Sequence, residues 1–174
     1  MLVLLAILVG LLLPSVTNSL RKDEKARAEK ATLSLKNAIT AYLIEYHEYP
    51  LPDPANDLTI DSGNGLMDIL LGSDPQKGPG GRNPRGIVFY SDRAARPIDG
   101  GRFRKGLTLL PDGTGELWDP WGNHYRVRMD TDGDGRVSNP DPAMPARILT
   151  ESILVWSAGP DGDFETWKDN AQTW

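Results

Sequence analysis

The sequence predicts an α+β protein: one long N-terminal α-helix packed on a small antiparallel β-sheet whose strands are joined by long loops. Three observations predict it. Arg21 to Tyr46 contains neither Gly nor Pro and is rich in Ala, Leu, Lys and Glu, all good helix formers. Beyond Pro54, short apolar stretches of strand length alternate with turn-forming segments. Gly (18) and Pro (14) are both frequent among the 174 residues, so much of the chain is turn and ordered loop. That length suits one domain with a modest core and an appendage.

The helix comes first. Met1 to Leu13 carries no charged or polar side chain. Thirteen helical residues span roughly 20 Å, short of the roughly 20 residues that a bilayer core requires. The same length suits the apolar part of a cleavable secretion signal, but no basic segment precedes it and "SVTNS" is a poor cleavage site. Continuity favours a membrane or filament segment. The apolar run leads through "RKDEKARAEK" into a stripe of Ala28, Ala31, Leu35, Ala38 and Tyr42, widened by Ile39, Leu43 and Tyr46. That spacing of three and four is one face of a helix. Pro14 is expected to bend the helix without ending it. "YPLPDP" stops it by Tyr49. The expected organisation is an apolar helix segment over 1–20, an amphipathic helix over 21–49, and a globular sheet domain over 50–174.

In the globular part, "GLMDILLG" reads as a short helix closed by Gly72, and "IVFY" (87–90) as a strand. "LTLL", "PDGTG" and "ELW" read as a hairpin turning at Asp112-Gly113. "HYRVRM" alternates, with Tyr125, Val127 and Met129 on one face and His124, Arg126 and Arg128 on the other. "SILVWSAG" (152–159) reads as the last strand.

"DTDGDGRVSNPD" has the oxygen spacing of an EF-type calcium loop. The ligand positions fall on Asp130, Asp132, Asp134, the main-chain carbonyl of Arg136, Ser138 and Asp141, with Gly135 at the sharp turn and the apolar Val137 after it. Converging carboxylates repel one another unless a cation neutralises them. Asp141 is a shorter arm than the usual Glu. Pro140, Pro142 and Pro145 forbid an exit helix, so a structural staple is expected rather than a switch. Its Kd should be about 10⁻⁴ to 10⁻³ M. A second acidic cluster, Asp161, Asp163 and Asp169, is equally compatible with a metal site and with a plain acidic tail.

Other functions find little support. Net charge is −5, with no basic patch that would suit nucleic acid. Without Cys there is no disulfide, zinc thiolate or thiol nucleophile. His47 and His124 read as surface or packing residues, and no nucleophile elbow, phosphate loop or zinc spacing is present. Catalysis is not expected.

Taken together, "LKNAITAYLIEYHEYPLP", "NPRGIVFY", "DPWGNHYRV" and "ILVWSAGPDGDF…DN" resemble the type IV pilin-like proteins, specifically the major pseudopilins of type II secretion systems. The resemblance covers nearly the whole chain. It implies a lollipop-shaped subunit in the bacterial inner membrane, single-pass, with its globular domain in the periplasm. It implies a homo-oligomeric helical filament joined through the N-terminal helices. The implied partners are other pseudopilins and an inner-membrane assembly platform. It also implies calcium in the C-terminal loop, which corresponds to Asp161 to Asp169. The family's basic leader, cleavage-point Gly and membrane-buried Glu have no counterpart in these residues. A truncated start or unusual processing is therefore expected. The alternative is a secreted calcium-dependent binding module with a cleaved signal peptide, in which Trp167 and Trp174 are free to meet a partner.

Overall fold

The computed structural model describes the backbone of residues 2–51, 58–73, 80–145 and 147–174, and the side chains of those from Ser19 onward, Leu58 excepted. The apolar segment over 1–20 therefore lies, but for its last two residues, outside the described side chains. The chain forms an α+β fold. Helix α1 (Leu2–Tyr46) is assigned without interruption through Pro14. It ends where His47 takes a left-handed conformation, φ 58°, and donates its N–H to the Leu43 carbonyl at 2.8 Å. Strand β1 (Leu58–Asp61) and helix α2 (Asn64–Leu70) follow. Two short pairs come next: β2 (Arg96–Pro97) with β3 (Phe103–Arg104), and β4 (Gly106–Leu109) with β5 (Gly115–Trp118). Then come β6 (Arg126–Met129), β7 (Val137–Ser138), β8 (Ile148–Leu149) and β9 (Ile153–Trp156).

The central sheet has the order β1–β6–β9 and is antiparallel throughout. Val127 faces Val155 and Met129 faces Ile153 in register. These four lie in one apolar cluster with Leu35, Ala38, Ile39 and Tyr42 of α1. The expected stripe is thus the packing face: Ala28, Leu35, Ile39 and Tyr42 are fully buried, while Ala31, Leu43 and Tyr46 are half-buried. Thr32 shares the buried face, its hydroxyl donating to the Glu29 carbonyl at 2.8 Å, which removes the penalty for burying it.

The hairpin β4–β5 forms as expected, with Gly113 at φ 88° in its turn. Ser62 ties it to the main sheet. Its hydroxyl donates to the Leu117 carbonyl and accepts the Tyr125 N–H, both at 2.8 Å. In α2, Gly72 closes the helix at φ 72°, where an added Cβ would sit 2.6 Å from the Gly86 carbonyl oxygen.

Two expectations need correction. Residues 87–90 form no strand, and among the described residues no ladder pairs with them. The N–H groups of Phe89 and Tyr90 instead donate to the Leu70 carbonyl at the end of α2. Trp167 and Trp174 are not free: both are half-buried and pack with Leu154, Trp156, Val137 and Leu149 in a second apolar cluster. The sheet is therefore covered on both faces, by α1 on one and by two acidic loops on the other.

Candidate metal centre

The first acidic loop leaves β6 directly. Asp130 follows Met129, and its N–H donates to the Ser152 carbonyl at 3.0 Å, so the first candidate ligand is fixed at the end of the central strand. Gly133 and Gly135 take φ 72° and 75°, a left-handed backbone that Gly adopts without steric cost. The loop curls through them. The Gly135 N–H donates to Asp130 Oδ2 at 3.0 Å, that of Asp134 to Asp132 Oδ1 at 3.3 Å, and that of Arg136 to Asp134 Oδ1 at 2.8 Å. Val137 is fully buried in the second cluster, and β7 pairs with β8. Arg128 closes the loop from outside, its Nη1 donating to the Ser138 carbonyl at 2.9 Å and to Ser138 Oγ at 3.0 Å.

Among the described residues, Asp130, Asp132 and Asp134 are the one group of three or more potential ligands that gathers, with carboxylate oxygens within 4.8 Å of one another. Asp130 is 5% exposed, and its Oδ1 is buried without a hydrogen-bond partner. Burial raises its pKa, and the neighbouring Asp132 raises it further. A buried lone oxygen beside two more carboxylates is costly in an anionic state and fits a hard cation. An all-oxygen donor set suits Ca²⁺, Mg²⁺ or Mn²⁺.

The other expected ligands are held as follows. Asp141 is buried but stands outside the trio. Its Oδ1 accepts the Ala143 N–H at 2.8 Å, capping the turn that the flanking prolines impose. Ser138 is engaged by Arg128, as above. Arg136 sits on the loop with its N–H held by Asp134.

The second acidic loop is organised by its own backbone. Asp161 Oδ1 accepts the Asp163 N–H at 2.9 Å, and Oδ2 accepts the Thr166 hydroxyl at 2.6 Å. The hydroxyl and that N–H hold the Asp161 carboxyl below its ordinary value. Asp163 Oδ1 accepts the Glu165 N–H at 2.9 Å. Asp161, Asp163 and Asp169 do not gather. Arg126 lies over this loop, its guanidinium carbon 3.9 Å from the centre of the Phe164 ring.

Two organising residues escaped the sequence reading. Asn83 is fully buried. It accepts the Tyr46 hydroxyl at 2.6 Å and the Ile87 N–H at 3.0 Å, and donates to the carbonyls of Ile69 and Ile87 at 2.7 Å each. An Asn in a Gly/Pro loop gives no periodic signal. Asp119, also fully buried, accepts the N–H groups of Trp121, Gly122 and Asn123 on Oδ1 at 2.7–2.9 Å. The "DPWGN" turn hinted at that role. His47 is exposed, and His124 is half-buried with its ring centre 4.1 Å from that of Trp118.

Compared with family models, with curated proteins and with solved structures, the chain matches none.

Proposed function

We propose that this chain is the structural subunit, without catalytic activity, of a membrane-rooted filament of the type II secretion kind. It would be anchored in the bacterial inner membrane with its globular domain in the periplasm, and it would polymerise through α1. Other pseudopilins and an inner-membrane assembly platform would be its partners. One observation carries the reading. Helix α1 is assigned over 45 residues, and among its described side chains, from Ser19 onward, those buried in the sheet domain run from Ala28 to Tyr42. A helix that long, exposed at Ser19 to Asp23 and apolar in sequence over 1–13, is suited to bury itself in a bilayer or in a bundle of its own copies. Among the described residues no helix is long and apolar enough to cross a membrane, and most of the apolar run lies outside them. The sequence motifs set out above support the same reading.

Within that subunit, calcium bound by Asp130, Asp132 and Asp134 would staple the far-side loops to the sheet, as a disulfide does in other secreted folds. Asp130 comes from the end of β6, and Val137 carries the loop into the second apolar cluster. An ion there would join sheet and loop in one contact. The deciding experiment is analytical sedimentation of the full chain and of a chain lacking residues 1–20. Large assemblies for the first and a folded monomer for the second are expected. Equal assemblies from both would overturn the filament reading.

A further inference from the structure

The segment that follows the apolar run, "RKDEKARAEK", reads in sequence as a mixture of charges. The structure separates them. Asp23 is paired with Arg27 at 2.7 Å, one helical turn on. Glu24 is paired with Lys105 of the sheet domain, also at 2.7 Å. Arg21, Lys22 and Lys25 are left with no ion-pair partner among the described residues. Arg21 and Lys25 are four apart and Lys22 and Lys25 three apart, so the three share one side of α1.

These cations line a hollow of about 230 Å³ with Trp121, Pro160 and Asp169. Asp169 is not within ion-pair distance of any of them. Trp121 is half-buried against the main apolar cluster, and its main-chain N–H is one of the three that Asp119 accepts. Immediately before the cations, Leu20 is 59% exposed. The order along the sequence and into the hollow is therefore apolar run, exposed Leu, uncompensated cations, and a half-buried indole. Aromatic rings and basic side chains favour the level of lipid headgroups, and long basic side chains extend along apolar surface while keeping their charge in the polar layer. The molecule as a whole carries a net charge of −5, so three cations without an ion-pair partner make a local site of attraction for an anionic surface.

We propose that Arg21, Lys22 and Lys25, with Trp121 beside them, form a collar that seats on anionic phospholipid headgroups where α1 leaves the bilayer. The inference rests on the membrane-rooted reading above and adds a lipid preference to it. The collar fixes the height of the domain above the membrane and favours anionic lipid around each subunit before assembly.

The test uses the full chain, diluted from neutral detergent onto a limiting amount of vesicles and recovered by flotation. One set of vesicles is phosphatidylcholine alone. In the other, part of it is replaced by phosphatidylglycerol. A cation near an anionic surface contributes about 1 kcal/mol, so three give a preference on the order of a hundredfold, shrinking as salt is raised. The variant carrying Arg21→Gln, Lys22→Gln and Lys25→Gln is expected to lose the preference while still floating with phosphatidylcholine. If the natural chain binds both sets equally, or the variant keeps the preference, the collar is overturned and the membrane-rooted reading stands. If the substitutions alter only the size of assemblies, the cations meet a second copy of the chain and the lipid inference falls. A chain that floats with neither set overturns the membrane-rooted reading and the collar with it.

Discussion

The two faces of the central sheet are built on different principles. On the helix side, Val127, Met129, Ile153 and Val155 meet Leu35, Ile39 and Tyr42, each 2% exposed or less. On the far side, Leu154 and Trp156 are covered by Val137, Leu149, Phe164, Trp167 and Trp174, which all arrive on or beside loops rich in Asp, Gly and Pro. The first face buries enough apolar area to hold itself. The second must order many polar residues to place a few apolar ones, and fixing each backbone costs about 1–2 kcal/mol. Polar devices offset that cost: carboxylates that cap their own turns, two arginines clasping the loops, and the proposed ion. A sheet strand that is apolar at every position, like β9, is the sign that both faces are covered.

The largest expected effect separates the faces cleanly. Ile39→Ala removes a fully buried side chain from the helix side and should cost about 2–5 kcal/mol. Chemical denaturation with and without calcium should give the same loss. A loss that depends on calcium would mean that the two faces are not independent.

Next are two buried carboxylates, each with an unpartnered oxygen, Asp119 and Asp130. Burial pushes Asp119 from 3.8 up to about 6, although three N–H groups pull it down. Its folded pKa is thus above its unfolded one. Between those values the folded state holds a proton that the unfolded chain has released, so stability falls as pH rises from about 4 to about 6, by roughly 3 kcal/mol. Thermal melts across that range should show this slope in the natural chain and lose it in Asp119→Asn, whose carbonyl still accepts the three N–H groups. An unchanged slope would place the titrating group elsewhere. Asp130, also raised, should instead make calcium binding weaken as pH falls, because proton and ion compete for one carboxylate.

Calcium itself gives the third test. An ion that binds only the folded state adds about 2.7 kcal/mol at a hundredfold excess over Kd. Chelation with EDTA should lower the melting temperature by that equivalent and open residues 130–149 to protease, while α1 stays protected. Asp132→Ala with Asp134→Ala should reproduce this even in calcium. Equal calorimetric heats for natural chain and double variant would show that Asp130, Asp132 and Asp134 do not hold the ion.

The smallest effect sharpens the contrast between the two acidic loops. Asp161→Asn removes an exposed charge whose hydrogen bonds are local. Its carboxyl is held low, so whatever stability it adds is present at neutral pH and is lost only as acid protonates it. The variant should melt near the natural chain at pH 7 and titrate calcium with unchanged heat. A lost heat would move the metal to the C-terminal loop.

These contrasts track what the sequence made legible. The stripe from Ala28 to Tyr42, the hairpin around Gly113 and the alternation at 125–129 repeat at periods that a single chain displays. The gathering of Asp130, Asp132 and Asp134 also follows from spacing, because alternate residues in a tight turn converge. Asp141 departs from the pattern because the Pro140 and Pro142 flanks commit its carboxylate to a local cap. Residues 87–90 have strand composition, but β-propensity needs a partner edge, and here the end of α2 takes the hydrogen bonds. Asn83 and Ser62 were invisible because each bridges segments distant in sequence. The double duty of Arg126 and Arg128 could be seen only once the far loops were in place.

The packing of α1 on the last strand, β9, has a consequence for when the molecule can become itself. In the proposed export, a chain crossing the membrane in sequence order would present α1 well before Ile153 to Trp156. The partner of Leu35 and Ile39 is thus missing for most of the journey. Until it arrives, the stripe is exposed and the middle strand, β6, has one edge bare. Closure then joins the two ends of the sequence in one late step, a non-local search of the kind that slows folding. Under the proposed filament reading, passage across the membrane would act as a timer: a subunit would be competent to join a filament only after Ile153 to Trp156 had emerged.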